Sequence, residues 1–220
     1  MVTVNSLRAA VLGANDGIIS NAALLLGVIG SGASDAAILT AGIASTVAGA
    51  VSMALGEYVS VSAQRDTERA AVEREIKELE QTPDAEAKEL AGILSGYGIS
   101  DETACKAAQE IGEGDALTAH LQIEYGLDGE KLTNPWEAAA ASGASFLAGA
   151  ALPLASVFFS SNSALVVFAT TLLALVITGF TSATLSDTDP VRAVLRLVLG
   201  GALGLAVTYG IGTAFGGVVG

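Results

Sequence analysis

The sequence predicts an all-α membrane protein: five transmembrane helices with a helical cytoplasmic domain inserted between the second and the third. Three observations predict it. Of the 220 residues 51% are hydrophobic and 15% charged, and the mean hydropathy is +0.58, too apolar for an ordinary soluble domain. Charge is also segregated: residues 138–186 and 197–220 carry none, whereas the segment from Arg65 to Glu137 holds eighteen Asp or Glu against seven Lys or Arg. Finally, a hydrocarbon core of about 30 Å needs roughly 20 apolar residues per helix, and the apolar stretches supply that length five times.

The expected spans are residues 9–31, 36–62, 136–159, 164–186 and 190–216. In lipid each backbone polar group must be satisfied within its own segment, so these are helices. The uncharged stretch 138–186 is too long for one crossing, and Ser160, Ser161, Asn162 and Ser163 divide it into a hairpin of two. Asn134 with Pro135 and Asp189 with Pro190 place a capping side chain ahead of a proline whose missing N–H costs nothing at the first helical position. Trp136 then falls at a membrane interface. No proline interrupts the second span before Pro83, so one helix is expected from about Asp35 to Glu80, roughly 65 to 70 Å at 1.5 Å per residue. Thr82 and Pro83 start another helix that Gly96 and Gly98 end, Ser100 caps a third, and a fourth runs from about Asp115 to Tyr125. The domains expected are thus 1–64 (first two spans), 65–134 (acidic, metal-binding, cytoplasmic) and 135–220 (last three spans). No internal repeat or low-complexity linker is visible.

All ten basic residues, Arg8, the seven of the central segment, Arg192 and Arg196, fall on one side of a five-span arrangement. The positive-inside rule puts that side, with the N-terminus and the central segment, in the cytoplasm and the C-terminus outside. The run after Arg8 contains Asn15 and Asp16 and no convincing cleavage site, so it reads as a retained helix. The compact Ala- and Gly-rich chain points to a bacterial plasma membrane.

The net charge of −13 and pI near 4.3 exclude a nucleic-acid binder, which needs a basic face. Cations fit instead. Cys105 is the one cysteine and can form neither an internal disulfide nor a thiolate zinc site. A single histidine, His120, argues against a Ser-His-Asp hydrolase or a histidine-rich metalloenzyme, and no GxxxxGK[ST] loop is present for ATP. The chain is expected not to be an enzyme and to hold no permanent cofactor.

Ionisable groups inside a span are functional candidates, since each costs at least about 2.5 to 3.5 kcal/mol at mid-membrane. Asp16 and Glu57 qualify. Asp16 lies between Gly13 and Gly17, which could let the helix loosen and offer carbonyl oxygens; a plain interfacial position is the alternative. On the second span Ser45, Gly49, Ser52, Met53, Gly56, Glu57 and Ser60 recur at three- and four-residue steps and form one polar, small-residue stripe. Met53 and Glu57, one turn apart, pair a soft thioether with a hard carboxylate, suited to a borderline ion such as ferrous iron; methionine is otherwise a packing residue. In the central segment Glu75 with Glu78, Glu86 with Glu89, and His120 with Glu124 each share a helix face. Carboxylates and an imidazole converging from several helices are how helical bundles hold iron or manganese. The alternative is a solvated face neutralised by Arg74, Lys77 and Lys88. Gly200 with Gly204 and Gly212 with Gly216 would allow close helix approach on the last span.

Asn15-Asp16-Gly17, the run Ser52-Met53-Ala54-Leu55-Gly56-Glu57-Tyr58-Val59-Ser60, and the later Pro83-Asp84-Ala85-Glu86-Ala87, Tyr97-Gly98-Ile99 and Glu124-Tyr125-Gly126-Leu127 resemble the vacuolar iron transporter family. The similarity extends over nearly the whole chain. It implies a five-helix dimer that exchanges ferrous iron, and often other divalent ions, for protons. Carried over by position, it implies that Glu75, Glu78, Glu86, Glu89 and Glu124 are metal ligands and that Asp16 and Met53 line the translocation path. Two departures stand out. Ser45 occupies the position of a pore glutamate in plant members, which leaves proton coupling to Asp16 or Glu57. His120 and Leu121 stand where plant members carry two methionines, so an imidazole replaces one thioether.

The expectation from these readings is a homodimeric exporter of a divalent transition metal, with Fe2+ foremost and Mn2+, Zn2+ or Co2+ as alternatives, working by metal/proton antiport. Its partners are membrane lipid, divalent ions and protons. The site residues are Glu75, Glu78, Glu86, Glu89, His120 and Glu124 for metal, and Asp16, Ser45, Met53 and Glu57 for the path. A membrane-anchored metal buffer or sensor that transports nothing is the alternative, and an intramembrane di-metal enzyme a third.

Overall fold

The computed structural model describes residues 4–127, 134–159 and 163–219, and of residues 4–7 and 217–219 the backbone alone. Among the described residues there are eight helices and no strand: α1 (Val4–Gly30), α2 (Asp35–Gln81), α3 (Pro83–Gly96), α4 (Asp101–Gly112), α5 (Ala116–Tyr125), α6 (Pro135–Phe159), α7 (Ala164–Leu185) and α8 (Pro190–Val219). Five of these, α1, α2, α6, α7 and α8, are long and apolar enough to cross a membrane. The chain divides into two compact units, Met1–Val59 with Trp136–Gly220, and Ser60–Pro135; α2, 47 residues long, contributes to both.

In the first unit a core of Ala22, Leu25, Leu26 and Ile29 of α1 packs with Ile38, Val157, Val167 and Leu205, one residue from each of the other four long helices. Much of the outer surface is apolar. Leu199 and Leu203 are 67% and 68% exposed, a pattern that water would penalise and lipid does not. Close approach of helices relies on small residues. A Cβ on Gly13 or Gly17 would run into the backbone of α6 at Ser142 and Phe146, and one on Gly149 into the backbone of Ala14. α1 is an unbroken helix through this stretch, so Gly13 and Gly17 serve contact with α6 and do not loosen the helix as the sequence suggested. Gly212 and Gly216 likewise fit α8 against Gly27 of α1 and Ser31 just beyond its end, whereas a Cβ on Gly200 or Gly204 would meet nothing among the described residues.

Helix starts follow the local sequence in part. Asp189 Oδ1 accepts from the N–H of Val191 at 2.9 Å, and Ser163 Oγ from that of Val166 at 3.4 Å. The remainder of the expected turn, residues 160–162, lies outside the described residues. Ser100 precedes α4 without capping it by its side chain: the hydroxyl donates to Thr103 Oγ1 at 2.9 Å instead. Thr82, before Pro83, also makes no side-chain cap, since its Oγ1 donates back to the Glu78 carbonyl. Trp136 is 70% exposed and tilts against Tyr58 with ring centroids 4.6 Å apart.

The second unit closes on a small core of Leu90, Ala91, Ala104 and Ala108, with Leu94, Ile111 and Ile123 packed around it. Its helix α5 is fixed at both ends. Asp115 Oδ1 accepts from the Thr118 N–H at 3.2 Å. At the other end Gly126, at φ +66°, lets its own N–H reach the Gln122 carbonyl and that of Leu127 reach Leu121, a Schellman termination for which a left-handed glycine is needed.

Candidate functional site

The second unit gathers Glu75 of α2, Glu86 of α3, and His120 and Glu124 of α5, each offering one ligand atom, all within 4.8 Å of one another. Helical periodicity explains the pairing on α5, where a spacing of four puts His120 and Glu124 on one face. Packing of α3 and α5 turns Glu86 and His120 inward, and Glu75 is wholly buried, as His120 nearly is. His120 Nδ1 lies 2.9 Å from Glu124 Oε1, to which it hydrogen-bonds, and 3.0 Å from Glu75 Oε1. One ring N–H serves one acceptor. Both Glu75 oxygens are buried and, among the described residues, without a hydrogen-bond partner.

Such a group is costly, because a buried carboxylate lacking a donor forfeits its hydration. The same electrostatics act on Glu86. Burial first, then the neighbouring Glu89, Glu78 and Glu124, push its carboxyl above the ordinary glutamate value, against a smaller opposing effect of His120. Asp115 is displaced the other way by its Thr118 hydrogen bonds, as suits a helix cap. A divalent cation among the four side chains would satisfy Glu75 and remove the repulsion. Of the six metal-site residues read from the sequence, four are brought together. Glu78 is half-buried and Glu89 exposed; both act on Glu86 through their charge without joining the four.

The first unit holds a cleft of about 450 Å³ lined by Asp16, Ser20 and Leu24 of α1, Ser45, Ala48, Gly49, Ser52 and Met53 of α2, and Phe146 of α6. Asp16, Ser45 and Met53, three of the four path residues read from the sequence, therefore face one space. Met53 also packs on the cluster of Ala50, Phe146 and Ala150. Glu57, the fourth, does not line the cleft; its Oε1 lies 3.6 Å from Arg8 Nη2, a distance beyond a hydrogen bond, and has no hydrogen-bond partner.

Sequence reasoning missed Ser20, which lines the cleft one turn after Asp16 and whose Oγ donates to the Asp16 carbonyl. It also missed Asn21. Fully buried, Asn21 donates through Nδ2 to Thr46 Oγ1 and to the Gly42 carbonyl, tying α1 to α2. An amide inside an apolar span is itself the signal that could have found it.

The profile of the VIT family matches residues 7–213 of the chain. Among known proteins, a vacuolar iron transporter of Acanthamoeba castellanii is 36% identical over 213 residues, 96% of this chain and 78% of that protein. Vacuolar iron transporter homolog 2.1 of Arabidopsis thaliana is 37% identical over 209 residues, 93% and 79% of the two chains. Vacuolar iron transporter 1 of Tulipa gesneriana is 30% identical over 213 residues, 94% and 86%. A family profile covering nearly the whole chain, together with five apolar helices of spanning length, makes this an integral multi-pass membrane protein that belongs to the VIT family.

Proposed function

We propose that the protein exports a divalent transition metal, Fe2+ foremost, from the cytoplasm in exchange for protons. The observation that carries this reading is the buried cluster of Glu75, Glu86, His120 and Glu124, in which the wholly buried Glu75 carboxylate has no hydrogen-bond donor of its own among the described residues and shares the His120 ring with Glu124. In this reading Ser60–Pro135 is the cytoplasmic unit that gathers the ion, Glu78 and Glu89 add negative charge around it, and Asp16 and Met53 in the cleft of the first unit pass it across. Asp16 or Glu57 takes up the returning proton, since Ser45 cannot. The names of the relatives support iron as cargo, and the one-sided distribution of Lys and Arg supports the orientation.

The working form is a homodimer. Ile43, Val47, Val51, Leu55 and Val59 form an exposed apolar ridge at four-residue steps along α2, beside the Ser45, Ser52 and Met53 side of the same helix. A second copy on this ridge would cover it and would close the cleft from lipid.

The test is metal flux into sealed vesicles that contain the full-length protein with its Ser60–Pro135 unit facing out. Fe2+ uptake is expected with the wild type, coupled to proton movement, and is lost in Asp16→Asn and in Met53→Ala while metal binding persists. Binding without flux in the wild type would favour the membrane-anchored buffer instead. Undiminished flux in both variants would refute the path.

A further inference from the structure

His120 is the one histidine of the chain, and it is buried among three carboxylates. Ligand bonds to a borderline divalent ion are about 2.0 to 2.2 Å for nitrogen and oxygen, so two ligand atoms on opposite sides of one ion stand roughly 4.0 to 4.4 Å apart. The four atoms here lie within 4.8 Å of one another. This is the size of one ion's shell, reached with little movement and wholly within one chain. It is Nδ1 that faces Glu75 and Glu124, at 3.0 and 2.9 Å. Ligation through Nδ1 leaves the proton of the neutral ring on Nε2 and requires the Nδ1 bond to Glu124 to give way to the ion.

The chemistry of this donor set decides which ions gain. Carboxylates alone suit Mg2+, Ca2+ and Mn2+, whereas an imidazole raises affinity for later first-row ions, following the order in which Mn2+ is weakest and Zn2+ well above it. We propose that His120, ligating through Nδ1, is the residue that sets ion preference at this site: it shifts a mononuclear shell completed by Glu75, Glu86 and Glu124 toward Zn2+-like late ions and away from Mn2+ and the alkaline-earth ions. The proposal rests on the metal-binding reading above and adds to it which atom selects.

The test uses the full-length protein in detergent micelles, with histidine labelled by 15N. Because one imidazole is present, its two nitrogen resonances need no assignment to a residue. Zn2+ is expected to move Nδ1 to the position of a metal-bound nitrogen and to leave Nε2 protonated. His120→Asn sets an amide near the place of Nδ1 and shortens nothing else. It should keep Mn2+ binding within a few-fold, since an amide oxygen still serves a hard ion. Its Zn2+ affinity should fall by about 10- to 100-fold or more, a loss that even outer partners of a ligand produce.

Retained Mn2+ binding in the variant also shows that the site is intact. Zn2+ binding to the wild type with unmoved imidazole resonances, or with Nε2 as the shifted nitrogen, would overturn the assignment of Nδ1. So would equal loss of both ions in His120→Asn. In each of these cases the wild type still binds metal, so the metal-binding reading itself stands. Absence of any Zn2+ or Mn2+ binding to the wild type would overturn the metal-binding reading itself.

Discussion

Replacing Glu75 by glutamine should have opposite effects on the second unit with and without metal. Glu75 is fully buried, both its oxygens lack a hydrogen-bond partner among the described residues, and one of them lies within 4.8 Å of ligand atoms of Glu86, Glu124 and His120. An unsatisfied buried group costs about 1 to 3 kcal/mol, and more when charged. Glutamine keeps the shape, removes the charge and can donate to Glu86 or Glu124. Without metal, Glu75→Gln should therefore stabilise the unit by about 1 to 3 kcal/mol, equivalent to an open population about 5- to 150-fold smaller and amide exchange slower by that factor. With metal the order reverses: a ligand at 100 times its Kd stabilises the wild type by about 2.7 kcal/mol, and the variant forfeits most of this. Hydrogen exchange of the α3, α4 and α5 amides in the full-length protein, in chelator and in saturating Co2+, measures both arms. If Glu75→Gln were less protected than the wild type in chelator, Glu75 would be part of the folded scaffold and not a group held ready for a cation.

Two further outcomes follow from the same structure. The raised Glu86 carboxyl means that the folded metal-free unit binds more protons than the unfolded chain. Its contribution to stability is therefore fully present below the ordinary glutamate value near 4.5 and is lost as pH rises through the higher folded value. Metal binding needs the deprotonated form, so mild acid should stabilise the metal-free unit while weakening Co2+ binding; metal affinity that is flat from neutrality into this window would contradict the placement of Glu86. In the first unit, Gly149→Ala drives a Cβ into the backbone of Ala14 whereas Gly56→Ala meets open space. The former should cost about 1 to 3 kcal/mol by overpacking and lower the melting temperature in detergent, and the latter should not.

The spanning helices were legible because lipid forbids charge, so that the uncharged runs mark α6, α7 and α8 and the prolines at 135 and 190 mark two of their starts. Caps were less legible. Asp189 caps as its sequence suggests, but Ser100 prefers Thr103, since a hydroxyl has several partners within reach and the sequence does not rank them. In the metal cluster the pairing of His120 with Glu124 could be read from spacing alone. Which member of each Glu-x-x-Glu pair turns inward could not. A spacing of three places both on one face, and only the packing of α3 and α5 decides that Glu75 and Glu86 are buried while Glu89 is left exposed. The glycines beside Asp16 pointed to local loosening, and the structure uses them for approach to α6, a choice set by a helix more than a hundred residues away in sequence.

The two walls of the cleft are held in physically different ways. α1 meets α6 and α8 main chain to main chain, at Gly13, Gly17 and Gly27 and at Ser31 just after its end, where no atom can yield. α2 meets α1 and α6 there through the tips of Leu25 and Leu154 and the Phe146 ring, and it is tied to α1 by the buried Asn21 bonds to Thr46 and the Gly42 carbonyl. A displacement of α2 relative to α1 would accordingly have to break the Asn21 bonds first, while the main-chain seams of α1 with α6 and α8 stayed shut.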